Sequence, residues 1–350
     1  MHISALRERL RRLGANPAHE ARVLRLWACA RPQDSGRRKP EHYLPLALRA
    51  ELPTIQAELA GLARLQSRHD GADGSVRLLV ALHDGQSVES VLLPPGRIQG
   101  LCVSTQVGCA VGCVFCMTGQ GGLLRQLGSA EIVAQVVLAR SQFPARPVRK
   151  VVFMGMGEPA HNLDAVLEAI ELLGTGGAIG HKELVFSTVG DPRAFERLLA
   201  LGPGQVRPAL ALSLHSTDAA RRAALLPRAP RIAPAELVEL AERYARATGH
   251  PTQFQWTLIE GVNDGDDEIE GIARLLQGRH ALMNLIPYNE VPGLSLRRPS
   301  WERAAEMARR LHRLGVLTKL RHSAGQDVEA GCGQLRARSS LRGVPVVTAG

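Results

Sequence analysis

The stretch CVSTQVGCAVGCVFC, residues 102–116, holds four of the six cysteines in a chain of 350 residues. The other two, Cys29 and Cys332, lie far away on either side. Cys109, Cys113 and Cys116 follow the pattern C-x3-C-x2-C. So short a loop lets three thiolates converge on one inorganic centre. Structural zinc takes four ligands, usually delivered as two pairs, and a fully ligated iron–sulfur cubane also takes four cysteines. Three close cysteines with no fourth at matching distance point to a [4Fe–4S] cluster with one iron left open to a small molecule. Phe115, just before the last of the three, is placed to shield it from water. Counting Cys102 with the trio leaves an alternative, a zinc site in a non-catalytic RNA-binding protein.

Outward from this loop, short apolar runs alternate with amphipathic segments. Strands are expected at KVVFMG (150–155), ELVFST (183–188), ALALSL (209–214), TQFQWTLI (252–259), ALMNLIPY (281–288) and VLTKLRH (316–322). Helices are expected between them, near 129–142, 163–173, 192–201, 217–225, 234–248, 266–277 and 300–314. Ser129, Asp191 and Pro234 read as their start signals. Continuously apolar strands separated by helices indicate an α/β fold with a parallel sheet. In such sheets ligands gather where the strands end. The unusual motifs of the chain fall at those ends: the cysteine loop after LCVSTQV, GMGEP after KVVFM, STVG after ELVF, SLHS after ALAL, and Asn289 after NLIPY. One shared site is therefore expected. The acidic run EGVNDGDDEIE (260–270) reads as a turn and helix start, with its carboxylates complementing the helix dipole.

Upstream, residues 1–72 read as a helical, basic accessory domain that binds RNA. It includes RERLRR and an amphipathic stretch from Leu44 to about Arg68. After HDGADG, two alternating runs, SVRLLVAL and SVESVLLP, are joined by HDGQ and predict a β-hairpin extension over 73–97. The core is then expected over 98–338, with 339–350 as a tail.

The chain is 45% hydrophobic with a formal net charge of +10, an excess that favours a polyanionic partner, RNA or DNA. Nearly all the basic residues are arginine, a bias that genomic base composition alone also produces. The N-terminus MHISALRERLRRLG is interrupted by arginines, so no secretory leader is expected. No uncharged apolar run is long enough to span a membrane. A soluble, cytoplasmic protein follows as the expectation, in a reducing compartment where clustered cysteines serve as ligands or catalysts.

The three-cysteine spacing resembles the radical S-adenosylmethionine (SAM) superfamily. With VVFMGMGEP, LSLH, GVND, NLIPYNEVPG and AGCGQL in this order, the chain resembles the RlmN/Cfr family of radical SAM RNA adenine methyltransferases from about Glu89 to Arg338. The resemblance implies an incomplete (β/α)6 barrel and two molecules of SAM per turnover. Cys109, Cys113 and Cys116 would hold the cluster. Cys332 would be methylated by polar displacement, and a 5′-deoxyadenosyl radical would then abstract hydrogen from the methylated sulfur. The carbon radical would add to adenine, and the adduct would resolve as Cys102 and Cys332 form a transient disulfide. Glu89 takes the place of the family's proton acceptor. Gly157, Glu158, Ser187, Ser213, Leu214, His215 and Asn289 match its SAM contacts. The partners implied are ribosomal RNA, transfer RNA as a second substrate, and a small electron-donor protein such as a flavodoxin, acting on a monomer. GMGEP, with its proline, resembles the branch that methylates adenine C2 rather than C8. The family's usual RxTRGDDIDAACGQL is here LRHSAGQDVEAGCGQL, with Ala324 for an arginine and Gln326 for an aspartate. The flanking glycines of Cys332 suggest a flexible, exposed loop, and Cys29 reads as structural.

Overall fold

The computed structural model describes residues 1–37, 39–291 and 293–337. The tail expected over 339–350, and Arg338 before it, lie outside these. Three helices lead: α1 (Ile3–Arg12), α2 (Pro17–Ala28) and α3 (Leu46–Gly61). Then come β1 (Ala63–Asp70), β2 (Val76–Leu82), β3 (Ser87–Leu92) and β4 (Gln99–Cys102). The cysteine loop is bracketed by β5 (Gln106–Gly108), the short α4 (Met117–Gln120) and β6 (Leu123–Gln126). Strands and helices then alternate: α5 (Ser129–Gln142), β7 (Val148–Phe153), α6 (Leu163–Thr175), β8 (Leu184–Thr188), α7 (Pro192–Leu199) and β9 (Ala209–Ser213). Next follow α8 (Ala219–Leu225), α9 (Pro234–Thr248), β10 (Thr252–Leu258), α10 (Asp266–Leu276), β11 (Ala281–Pro287), α11 (Trp301–Arg313) and β12 (Thr318–Leu320).

Ten strands form one sheet in the order β1-β2-β3-β4-β7-β8-β9-β10-β11-β12. Pairing is antiparallel from β1 to β4 and parallel from β4 to β12. With β1 and β12 at opposite ends, the sheet is an incomplete barrel. All six expected parallel strands are present, and β4 joins them as the first. The stretch from Leu44 to Arg68, read as one amphipathic helix, divides in two. Helix α3 stops at Gly61, and ARLQSRHD, which alternates along its length, pairs with β2 as a third hairpin strand.

Side-chain alternation gives the sheet two unlike faces. Leu101, Val151, Phe186, Leu212, Phe254, Trp256 and Leu285 lie on one face, and all are fully buried. Through the register, Cys102, Val152, Val185 and Ala209 share the opposite face. Further along, Ser213, Gln255, Asn284 and Lys319 share it too. The helices therefore pack on a face that is apolar apart from Thr188, Thr252 and Thr318, while the lumen is polar towards the strand ends. On the antiparallel side, Val91 pairs with Cys102, which brings Glu89 and Arg77 to this same inner face.

The N-terminal helices share the barrel's core through Ile3, Leu6, Leu10, Leu24, Leu48 and Ile55. Of the arginines on α1, Arg7 and Arg11 pair with Glu20, and Arg9 with Glu51 and Glu58. Ser129 does not cap α5; the carboxylate of Glu131 accepts from the Gly128 amide instead. The Ser129 hydroxyl accepts from the Ile3 amide and donates to Glu168, which fastens α1. Asp191 does cap α7, accepting from the Arg193 amide. The acidic run is a helix start, with Asp266, Asp267 and Glu268 in the first turn of α10.

Arg140 of α5 ties the N-terminal helices to the barrel. It donates to the carbonyls of Ala28 at 2.6 Å, Val148 at 2.9 Å and Gly177 at 2.8 Å. Replacing it leaves three carbonyls without a charged donor. Arg140→Met is expected to lower stability by about 3 kcal/mol, read as a shift of the urea midpoint.

Candidate active site at the open rim of the sheet

The residues singled out from the motifs converge at the carboxyl ends of the parallel strands. Cys102 closes β4, Ser187 lies near the end of β8, and Ser213 ends β9. GMGEP packs flat against the segment after β4. A Cβ on Gly155 would stand 2.7 Å from the Val103 carbonyl oxygen. On Gly157, whose φ is +108°, it would stand 2.7 Å from Gln106 Cβ. These two glycines let two strand ends touch. Glu158, next along, is fully buried. It accepts from the amides of Ala160 and Val189, each at 3.1 Å. Burial pushes its carboxyl up to about 7 against those bonds.

Cys109, Cys113 and Cys116 sit in the loop between β5 and α4. Burial pushes the Cys109 thiol up to about 12, with Glu158 and Cys116 adding. It raises Cys113 as well, and Cys116, Cys109 and Glu158 add to that shift. The three thiols thus face one another across an apolar pocket that also contains Phe115, Tyr288 and Val291. Among the described residues no three His, Cys, Asp or Glu side chains are gathered round a point that would hold a single metal ion. A cubane presents a separate iron to each thiolate, and three cysteines in one short loop suit it. Its positive charge would also offset the burial cost that keeps these thiols protonated.

His215 has a left-handed backbone, φ +62°. Its Nδ1 accepts from the Thr257 amide at 2.9 Å, which puts the proton on Nε2. Burial, reinforced by the Arg222 charge, pushes its pKa down to about 3, so the ring is neutral. It meets Phe115 edge-on, ring centroids 4.9 Å apart. The Ser187 and Ser213 hydroxyls have no partner among the described residues and are open to a ligand. Leu214 stands apart. Its side chain is in the core, its amide donates to Gln255 and its carbonyl accepts from Arg222.

Two residues that motif reading passed over hold this rim together. Arg222 of α8 is buried and donates to the carbonyls of Val189, Ser213 and Leu214. Burial pulls its pKa down to about 10, while Cys113 and Glu158 favour its charge. Its neighbour Arg221 points outward to Asp267 and Glu268. Nothing in DAARRAAL distinguishes one arginine from the other. Asn263, in GVND, donates to the carbonyls of His215 and Thr257 and accepts from the Ile259 amide.

The loop carrying Cys332 is docked rather than free, which corrects the expectation of flexibility. A Cβ on Gly331 would lie 2.6 Å from Asn289 Nδ2, and one on Gly333 would lie 2.9 Å from the Phe115 carbonyl oxygen. The glycines allow close approach to the cysteine loop. The Met117 amide donates to the Gly333 carbonyl at 2.7 Å, and the Thr118 hydroxyl to the Leu335 carbonyl at 2.6 Å. Asn289 Nδ2 donates to the Cys332 carbonyl at 3.0 Å and to Ser323 Oγ at 2.9 Å.

The Cys332 residue is exposed. Surrounding protein raises its pKa, with Arg321 drawing it down and Cys116 adding to the rise. Burial pushes Cys102 up to about 12, and Cys332 adds to that. Cys332 therefore lies within electrostatic reach of Cys102 on one side and Cys116 on the other. No disulfide joins them: all six cysteines are free thiols. Cys29 donates to the Gly176 carbonyl from the end of α2, a structural place.

Glu89, on the hairpin strand β3, is fully buried. It accepts from Arg77 and from the amides of Arg336 at 2.7 Å and Ala337 at 3.1 Å. It thus fastens the far end of the Cys332 loop. A reciprocal pair fastens the near end: Gly325 donates to Asp73 at 2.9 Å, and Ala72 to Asp327 at 2.8 Å. Motif reading treated HDGADG only as punctuation. Gln326 accepts from Arg298 at 3.1 Å, and no hydrogen bond or ion pair of the described structure accounts for Ala324.

The pattern that defines the radical SAM superfamily matches residues 103–276. The chain is similar to a probable RNA methyltransferase of Methylibium petroleiphilum, 72% identical over 97% of this chain and 94% of that protein. It is 63% identical to one from Pseudomonas aeruginosa, over 97% of this chain and 96% of that protein. In structure it is similar to a radical SAM methyltransferase from Sphaerobacter thermophilus, with a TM-score of 0.82 and 35% identity over 97% of this chain and 98% of that one. A [4Fe–4S] cluster and SAM are what this superfamily implies, and the thiol trio at the rim fits the first. Motif order, sheet and relatives agree: the chain belongs to the radical SAM superfamily, in the family of these probable RNA methyltransferases.

Proposed function

We propose that the protein methylates a ring carbon of adenine in RNA by way of a methyl group carried on Cys332. The expected target is C2 of an adenosine in 23S ribosomal RNA, with transfer RNA as a second substrate. The observation that supports this most is the position of Cys332. It is exposed, in a loop packed on the cysteine loop: the Met117 amide donates to the Gly333 carbonyl, Gly333 lies against the Phe115 carbonyl, and Asn289 holds the Cys332 carbonyl. A ring carbon of adenine is a poor nucleophile, so ordinary methyl displacement cannot serve it. A second sulfur beside a radical source answers that need. When bound, the cluster and SAM supply an activated methyl group and one-electron cleavage of a sulfonium.

In this reading Cys109, Cys113 and Cys116 hold the cluster. Glu158 receives the methionine ammonium, a cation that restores its ionised form. Ser187 and Ser213 bond the rest of the cosubstrate, Gly157 contributes its backbone, and neutral His215 keeps its ring against Phe115. Cys332 accepts the methyl group as a thiolate, favoured by the nearby Arg321 charge. Cys102 is the second thiol: its thiolate attacks the Cys332 sulfur, the sulfur–carbon bond of the adduct breaks with its electron pair passing to the carbon, a proton completes the methyl group, and the disulfide is left as product leaves. Glu89 becomes available as proton acceptor once the amides of Arg336 and Ala337 release it. A flavodoxin-like donor, a monomeric chain, RNA contacts from residues 1–72 and a cytoplasmic location complete the proposal. No helix among the described residues is long and apolar enough to cross a membrane.

The test is Cys332→Ala in anaerobically reconstituted protein. It is expected to abolish RNA methylation while leaving reductive cleavage of SAM intact; undiminished methylation rejects the proposal. Cys102→Ala is expected to trap a covalent protein–RNA adduct, visible as a shifted band on a denaturing gel. Mass spectrometry of methyladenosine isomers from treated RNA separates C2 from C8. Metal analysis is expected to find about four irons per chain, falling sharply in Cys113→Ala.

A further inference from the structure

The chain has three tryptophans, three tyrosines and six phenylalanines. Trp27, Trp256, Tyr244, Tyr288 and all six phenylalanines are buried, and Tyr43 is half-buried. Trp301 alone is exposed, at 44%. Leaving an indole in water forgoes a large hydrophobic gain. Nor does it hang loose. It stacks on His322, ring centroids 4.2 Å apart and planes 19° from parallel. Stacking covers one face of each ring, so the open area of the indole is its other face and its edges.

The pair stands at the rim of the proposed active site. Trp301 is the first residue of α11, set there by the loop after β11, with the Ser300 hydroxyl accepting from the Arg303 amide at 3.1 Å. His322 follows the last strand, β12. Its neighbour Ser323 accepts from Asn289 Nδ2, the same nitrogen that donates to the Cys332 carbonyl. The rings are thus joined to the sulfur-bearing loop through one residue and one shared donor.

The surrounding charge is positive and uncompensated. Arg297, Arg298, Lys319 and Arg321 are exposed and lie within four residues of one ring or the other along the chain. Arg298 donates only to the Tyr288 carbonyl, Asn289 Oδ1 and Gln326 Oε1, all neutral. Among the described residues none of the four has a carboxylate within ion-pair distance, whereas Arg7, Arg9 and Arg11 of the basic first helix are all paired. Glu302, also exposed, is the acidic residue next to Trp301 in sequence.

A flat aromatic surface among unpaired cations suits single-stranded nucleic acid, where a base stacks while its phosphates are neutralised. The proposed reaction creates that need. A base whose ring carbon reacts must leave its stack, and the next base then loses a neighbour. We propose that Trp301 and His322 form a stacking platform for the base flanking the target nucleotide, with Arg297, Arg298, Lys319 and Arg321 holding the adjoining phosphates. This inference rests on the RNA reading above.

The test uses the full chain and a fluorescein-labelled single-stranded 12-nucleotide oligoadenylate, with affinity read by anisotropy at several salt concentrations. Trp301→Ala is expected to weaken binding about tenfold with the salt slope unchanged, because stacking is not ionic. Trp301→Phe should recover most of the loss. Arg297→Gln is expected to lower the salt slope by about 0.7, one phosphate contact on a single strand. Cleavage of SAM with dithionite and no RNA should match wild type in all of them. His322→Ala, also at an exposed position, gives a second loss of affinity. Unchanged oligoadenylate affinity in Trp301→Ala and His322→Ala overturns the platform and leaves the RNA reading standing. Normal RNA affinity with a slowed flavodoxin-driven reaction assigns the surface to a protein partner instead. Failure of the wild type to bind any RNA overturns the RNA reading itself.

Discussion

Everything at the rim depends on side-chain alternation in a parallel sheet whose two faces meet different surroundings. The helix-covered face is apolar apart from three threonines, and this holds the strands in register. A slip of one residue would turn Phe254 and Trp256 into the lumen and Gln255 into the core. The inner face can therefore carry Cys102, Ser187, Ser213 and Asn284 without endangering the fold. The hairpin extends the same face through β3, which explains how Glu89, outside the parallel strands, comes to belong with Cys102.

The Cys332 loop is secured by a different kind of interaction. Its buried apolar side chains are two, Ala330 and Leu335. It is held by close backbone contact at Gly331 and Gly333 and by carboxylates accepting amides at both ends. Such bonds are directional, and once broken they are replaced by water at small net cost. The arrangement suits a segment that must be placed accurately and also released. Glu89 connects the two demands, since the carboxylate proposed to take a proton is also the one that fastens the loop.

Much of this was legible in the residues. Periodicity placed all six later strands, because each is a short apolar run between clear helices. Motif order placed the cysteine loop, GMGEP and Cys332 together. Periodicity failed at β1, where ARLQSRHD follows a helix and its alternation is masked by charged side chains. It also left β4 out of the parallel set, since four residues are too few to show a period. In the site, Arg222 and Asn263 went unnoticed because their roles are bonds to backbone carbonyls, which leave no mark in composition. HDGADG read as a turn, and it is one; its grip on Gly325 links residues 252 apart in the chain and could not be inferred locally. The glycines around Cys332 illustrate the opposite error, where permissive residues were taken for mobility and proved to serve tight contact.

The bonds from Glu89 to Arg336 and Ala337 have a consequence for how the protein is made. They span 247 and 248 positions of a chain of 350 residues. A ribosome delivers the hairpin long before the segment that completes it, so in the nascent chain this buried carboxylate faces Arg77 alone. Closure of the rim must wait for the end of translation. Until then the cysteine loop lacks the cover that Gly333 and Leu335 provide, so its thiols are more open to the outside while the chain is still being made.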